Sequence, residues 1–300
     1  MRTHATTAPV SAAAGGLALP DERRHGAPTH APTHAPTHAL ALRQLRQRQR
    51  ISQLELSLRV GVSQRHLSCI ETGRAQPSRA MLQALLDALD APLAERNEAL
   101  LAAGYAPAFG QRPLQDVQMA PVRAALNHLL AAHDPAPAFV LDDAWTLLQA
   151  NRGTQAMMGL LGVPAAALAG GLNLLRALLA PGGLATALVD GEPVCAEVWQ
   201  RAQREAALSP ALRRIVDELR PQLPRHLAVA PVAATPAAAQ PLLETVLRTV
   251  DGGTLRFFTA FTSFGAPLDV TAASLRVEHF FPADEATRVR MADAVLALTA

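Results

Sequence analysis

The chain has 300 residues, 50% of them hydrophobic but only 4% aromatic, and a formal net charge of +2. This length admits two domains or one large one, and since 62 residues are Ala, much of the apolar fraction is small methyl surface suited to helices. Two cysteines, Cys69 and Cys195, exclude a disulfide framework or a Cys-ligated zinc site, and no apolar stretch reaches the ~20 residues of a membrane span, so a cytoplasmic protein is expected.

Residues 1–39 are mostly Ala, Thr, Pro, Gly and His and include three Ala-Pro-Thr-His repeats. Such a segment buries too little apolar surface to offset its ordering entropy, so it is predicted to be a disordered tail. His30, His34 and His38 recur every four residues. A helical metal-binding face would need that spacing, but Pro in every repeat forbids the helix, leaving adventitious metal binding as the weaker alternative.

Charge then changes abruptly. Residues 40–80 hold eight Arg against Glu55 and Glu71, a local net charge of +6, whereas residues 106–300 carry 15 Arg and 17 acids. All 27 basic residues are Arg. The localised basic character predicts an anionic partner for one small domain, residues 40–105.

In that domain a first helix is predicted over 40–50, with Leu42 and Leu45 buried and Arg43, Arg46 and Arg50 on another face. Ser52-Gln53-Leu54-Glu55 fits a capping box at the start of a second helix, which Gly61 ends in a left-handed exit. Ser63 caps a third helix over 64–72, closed by Gly73, and the pair makes a helix-turn-helix. Leu67 and Ile70 must face its core, leaving Gln64, Arg65, Ser68 and Cys69 as candidate base contacts. Arg pairs in bidentate fashion with guanine and Gln with adenine. Candidate backbone contacts are Arg43, Arg46, Gln53, Ser63, His66 and Arg74.

The run Ile51-Ser52-Gln53, Val60-Gly61-Val62-Ser63, Leu67-Ser68, Ile70-Glu71-Thr72-Gly73-Arg74 and Pro77-Ser78 resembles the Xre/Cro-type helix-turn-helix of bacterial and phage repressors. The resemblance implies a five-helix all-α domain, with further helices over 81–89 and 93–103. It also implies a structural, buried or capping role for Glu71.

Residues 106–120, with spaced Pro and Gly, are predicted to be a linker. A helix over 122–133 follows, then strands at 138–141 and 145–149 joined at Asp142-Asp143. Asn151 and Asn173 are placed to cap helices reaching about Leu161 and Ala180, and further helices are expected over 193–207 and from Ser209-Pro210 to before Pro221. A Pro/Ala-rich loop at 230–241 precedes a hairpin of strands 243–250 and 254–264 around Asp251-Gly252-Gly253. A strand at 274–281 and a helix opened by Asp284 complete an α+β domain with an antiparallel sheet.

The segments Pro137-Ala138-Phe139-Val140-Leu141-Asp142, Ala150-Asn151-Arg152 and Asn173-Leu174-Leu175-Arg176 resemble the MmyB-like ligand-binding domain, as does the run from Phe257 to Asp284. This chain departs from the usual pattern at Ser263 and Ala266, where Thr is commoner. The resemblance over 121–300 implies a PAS-like fold and a small, largely apolar ligand such as a fatty acyl chain. Trp145, Asn151, Thr259 and Phe261 are the candidate pocket residues, and Asp269 is expected to serve a turn or cap.

No nucleophile-elbow, dinucleotide, P-loop or H-E-x-x-H spacing occurs, and the histidines beyond the tail are isolated. No catalytic residue, metal or cofactor is expected. The reading is a multidomain, homodimeric, sequence-specific transcription regulator that binds a palindromic double-stranded DNA operator and a small apolar ligand, with no membrane partner. The alternative is a protein-interaction module, an antitoxin or sigma-factor antagonist.

Overall fold

The computed structural model describes residues 37–169, 171–224, 227 and 242–298. The repeat segment before 37 and the loop at 230–241 lie outside the described residues, but Thr37, His38 and Ala39 belong to a helix. That helix, α1 (Thr37–Arg48), begins three residues earlier than the sequence suggests, and His38 is buried.

Four more helices complete the N-terminal region: α2 (Gln53–Val60), α3 (Gln64–Glu71), α4 (Arg79–Ala88) and α5 (Leu93–Ala102). Ser52, Ser63 and Ser78 each accept a backbone N–H of the first turn that follows, satisfying donors a helix start leaves open. Of the reciprocal capping box only the serine half forms, because the Glu55 carboxylate pairs with Arg59 at 2.5 Å. Gly61 sits at φ +73°, the left-handed exit that turns the chain from α2 into α3. Leu42, Leu56, Leu67, Ile70, Leu82 and Leu100 are fully buried and draw the five helices onto one core.

A 3₁₀ turn (Val117–Met119) leads into α6 (Ala120–His133) and the α+β domain. Its strands are β1 (Ala138–Leu141), β2 (Leu147–Ala150), β3 (Glu244–Arg248), β4 (Thr254–Thr262) and β5 (Arg276–Pro282). They pair antiparallel in the order β2-β1-β5-β4-β3, so the last strand lies centrally between the early pair and the late hairpin. Between β2 and β3 run α7 (Arg152–Leu160), α8 (Ala165–Ala169), α9 (Leu174–Leu179), α10 (Glu192–Glu205) and α11 (Pro210–Leu219). A short α12 (Val270–Ser274) precedes β5, and α13 (Glu285–Ala297) follows it.

Alternation along the strands separates two cores. Ala138, Val140 and Val277 turn toward α6, while Phe257, Leu255 and Leu247 turn toward the helices between β2 and β3. Gly153, at the start of α7, has no room for a side chain, since a Cβ there would lie 2.4 Å from the Ala136 carbonyl oxygen. Among the described residues no helix is long and apolar enough to cross a membrane, and no group of three or more His, Cys, Asp or Glu could hold a metal ion.

Candidate functional site

The first candidate surface is the outer face of α3. Burying Leu67 and Ile70 leaves Gln64, Arg65 and His66 exposed at its N-terminal end, with Ser68 and Cys69 half-buried along the same helix. Behind this face Glu71 is buried, and its carboxylate receives Arg46 Nε at 2.6 Å, Arg46 Nη2 at 2.8 Å and Gln53 Nε2 at 2.8 Å. Burial pushes the Glu71 carboxyl up, but the hydrogen bonds from Arg46 and Gln53 outweigh it and hold the group below its ordinary value. Arg46 also donates to the Ile51 carbonyl at 2.8 Å. This cluster joins α1, the start of α2 and the end of α3, so it fixes the angle at which α3 is presented.

The second candidate is a cavity of about 550 Å³ on the sheet face opposite α6. Its sheet wall is a period-two set: Phe139 on β1, Glu278 and Phe280 on β5, Thr259 and Phe261 on β4, and Thr245 and Leu247 on β3. The opposite wall comes from α7, α9 and α10, including Met157, Met158, Leu174, Leu178, Val194 and Val198. Polar groups gather where α10 meets β5. Arg201 Nη2 donates to Glu278 at 2.6 Å, and Arg276 Nη1 donates to the two Glu205 oxygens at 2.9 and 3.0 Å. Trp145 Nε1 donates to Glu205 at 2.7 Å, and both guanidinium groups lie over the Trp145 ring, at 4.5 and 5.1 Å.

The segment between the two regions is tied at both ends. Asn97 of α5 accepts the Ala108 and Phe109 N–H groups at 2.9 and 3.1 Å and donates to the Phe109 carbonyl at 2.8 Å. Gly110 then bridges to Asp269, the cap of α12, whose carboxylate receives Arg112 Nη1 at 3.0 Å. The Val270 N–H donates to the Gly110 carbonyl at 2.7 Å, and α5 packs against α12. A continuous path therefore runs from the cavity strand β5 through α12 to the last helix of the N-terminal region.

Comparison with known families decides what these regions are. The profile described as "MmyB-like transcription regulator ligand binding domain" matches residues 122–293, and one described as "Helix-turn-helix domain" matches residues 39–99. The chain belongs to the MmyB-like family. No curated protein matches it. Among solved structures it is similar to "Structure of an RNA-binding Light-Oxygen-Voltage Receptor", at 16% identity and a TM-score of 0.26, covering 86% of this chain and 62% of that one. The chain thus spans less than two thirds of that structure's length.

In this MmyB-like regulator the expected site residues separate into two groups. On the helix-turn-helix, Arg43 and Arg74 are exposed, and Ser63 caps α3 through the His66 N–H at 3.1 Å. Arg46 is corrected: it is buried against Glu71, which removes it from the phosphate-facing surface. The Gln53 amide likewise turns inward to Glu71 instead of outward to phosphate. In the ligand-binding domain Thr259 and Phe261 line the cavity. Trp145 and Asn151 do not. Trp145 is fully buried behind the two guanidinium groups, and Asn151 caps α7 while its amide bonds Ala138, Ala136 and Leu130. Glu197, Arg201 and Glu278 line the cavity but were not singled out from sequence. The one available signal was the spacing of Val194, Val198 and Arg201, a second inward stripe beside the buried Cys195, Trp199 and Ala202.

Proposed function

We propose that this chain acts as a homodimeric, sequence-specific transcription regulator in which α3 reads base edges in the major groove. Gln64 and Arg65 make the principal base contacts, with Ser68 and Cys69 farther along the helix, and Arg43, Ser63, His66 and Arg74 hold the DNA backbone. The observation that carries this reading is the exposed Gln64-Arg65 end of α3, held by a saturated Arg46–Glu71–Gln53 cluster in the most basic part of the chain. The cavity takes a small ligand with an apolar, acyl-like chain, consistent with its walls of Leu, Met, Val and Phe. Occupancy alters α3 through β5, α12, the Asp269–Arg112 contact and α5.

Footprinting of the DNA upstream of the chain's own gene tests the reading. The expected result is a protected two-fold symmetric site whose half-sites lie about 34 Å apart or a multiple of that distance. The absence of any protected site favours the interaction-module reading, for which the exposed Leu54 and Leu58 on α2 offer an apolar contact surface.

A further inference from the structure

Resting on the reading of the chain as a homodimer with a ligand cavity, we propose that two copies pair antiparallel through the free edge of β4, residues 259–263, and that Phe261 of each copy covers the cavity mouth of the other. Among the described residues the sheet covers its edges with one exception. Outside β3, the Val189 N–H donates to the Val246 carbonyl at 2.9 Å, and Leu188 bridges to Leu247. Outside β2, the Leu147 N–H donates to the Leu172 carbonyl at 2.8 Å, and Thr146 bridges to Asn173. Strand β4 differs. Its ladder with β3 stops at Phe258, opposite Glu244, yet it runs on beside β5 from Thr259 to Thr262. Over that stretch no described strand pairs with its other side, and Thr259, Ala260, Phe261, Thr262 and Ser263 are all exposed. A row of unpaired backbone groups is a template for another strand, and proteins ordinarily block it with charge or Pro. The run Thr-Ala-Phe-Thr-Ser contains neither.

The cavity opens at this edge. Its lining includes Ala260 as well as Thr259 and Phe261, together with Leu242 and Leu243, where the chain enters β3. Phe261, Leu242 and Leu243 are 57, 52 and 41% exposed, so apolar side chains rim the mouth. The Phe261 ring is held from one side by the Arg201 and Arg276 guanidinium groups, at 5.8 and 5.6 Å. Antiparallel pairing with a second copy, centred on Phe261, sets Ala260 opposite Thr262, Thr259 opposite Ser263 and the two Phe261 side chains against each other. The match is isologous, so it closes as a dimer and does not propagate. It brings no like charges together on the paired strands, and it joins the two apolar rims. The edge spans only about 17 Å, and its rim has to supply much of the ~800 Å² per partner that a stable interface buries. A ligand that reaches the mouth touches Phe261 of the second copy, so ligand binding and pairing favour each other.

The experiment treats the full chain carrying Ala260→Cys with a short bismaleimide. In the paired edge the two introduced thiols are diagonal neighbours, about 7–8 Å apart. The expected result is a covalent dimer at least tenfold more abundant than in the parent chain, whose own Cys69 and Cys195 control for other links. Adding Thr262→Lys, outside the cavity lining and opposite Ala260 of the second copy, should cut the linked fraction at least tenfold while tryptophan fluorescence reports a folded domain. Ser263→Lys serves if that variant does not fold. A yield no higher than the parent's overturns the proposal, as does a yield that lysine leaves unchanged in folded protein. Sodium decanoate, added before the cross-linker, should raise the yield at least twofold. Decanoate that binds by calorimetry and leaves the yield unchanged overturns the coupling of ligand to pairing. If the folded chain does not bind decanoate, the cavity reading falls and the coupling with it, and the lysine-sensitive cross-link decides the pairing by itself.

Discussion

The helix-turn-helix and the ligand-binding domain each bury Arg–Glu pairs, and the two arrangements differ in a way that follows their tasks. In the first, one carboxylate takes three donors from Arg46 and Gln53, and the cluster sits among fully buried leucines. In the second, two arginines and two glutamates share contacts beside a 550 Å³ cavity, and Arg201 Nε, Arg276 Nε and Arg276 Nη2 remain buried without hydrogen bonds. A saturated pair in a filled core has one arrangement available. An incompletely satisfied network at a cavity wall has others, so the same residue types are held in a single geometry in one region and keep unpaired donors in the other.

The largest expected effect comes from removing the fixed pair. Glu71→Ala leaves the buried Arg46 unpaired and should destabilise the helix-turn-helix by about 3–5 kcal/mol. Both tryptophans, Trp145 and Trp199, lie in the ligand-binding domain, so their fluorescence should still report a folded domain while DNA binding is lost. A simultaneous loss of the tryptophan signal would show that the two regions do not differ as described.

Arg65→Ala should reduce discrimination at one base position by about 1–3 kcal/mol with the fold intact. Binding assays on a set of single-base operator variants check this, and a loss uniform across the set would exclude a base contact. Asp269→Asn weakens the half-exposed pair with Arg112 and should change stability by about 1 kcal/mol or less. Its sharper effect is on coupling: ligand should no longer shift DNA affinity, as measured by titration with and without ligand, if this contact carries the signal. Arg43→Ala should reduce the salt slope of DNA binding by about 0.9 per lost phosphate contact. An unchanged slope removes Arg43 from the interface.

Acid separates the regions more gently. Burial, followed by the neighbouring His133, lowers the His279 pKa below its usual 6.5. Its neutral form is therefore favoured by folding, and the associated stability is present above pH 6.5 and lost as pH falls toward the depressed value. Glu71 is also depressed, but from 4.5, so its contribution persists until pH falls below that value toward the folded pKa. As pH is lowered, the tryptophan-monitored melting temperature should decline first and that of the helix-turn-helix only under stronger acid. Melting curves by fluorescence and by far-ultraviolet circular dichroism across pH 7 to 4 distinguish the two.

Much of the fold is legible because its elements announce their ends chemically. Ser52, Ser63, Asn151, Asn173, Ser209 and Asp284 all cap the helices expected of them, and β1 spans the residues that its sequence indicates. The five-residue α12 was hidden because it is too short to show a periodicity, although its cap, Asp269, was recognised as a turn or cap residue. Site residues were harder to read because a charge's partner is a tertiary fact. Arg46 shares helical spacing with Arg43, yet it also lies four residues after the buried Leu42, and only Glu71, 25 residues away, decides which face prevails. Trp145 and Asn151 have the chemistry of ligand contacts, but both are fully occupied by protein groups. Arg276 and Glu278 alternate with apolar residues on β5, a pattern that ordinarily marks a solvated face, and here that face looks onto the cavity and its polar edge.

The Asn97 side chain has a consequence for dividing the chain. By bonding the backbone of Ala108 and Phe109, it makes residues up to Phe109 part of the helix-turn-helix side of the junction, while Gly110 and Arg112 belong with Asp269 on the other. A chimaera that exchanges one half for that of a relative must therefore cross over between Phe109 and Gly110. A junction at the end of α5 would make Asn97 depend on a foreign segment following the same path, so that its backbone N–H and C=O groups fall where those of Ala108 and Phe109 lie.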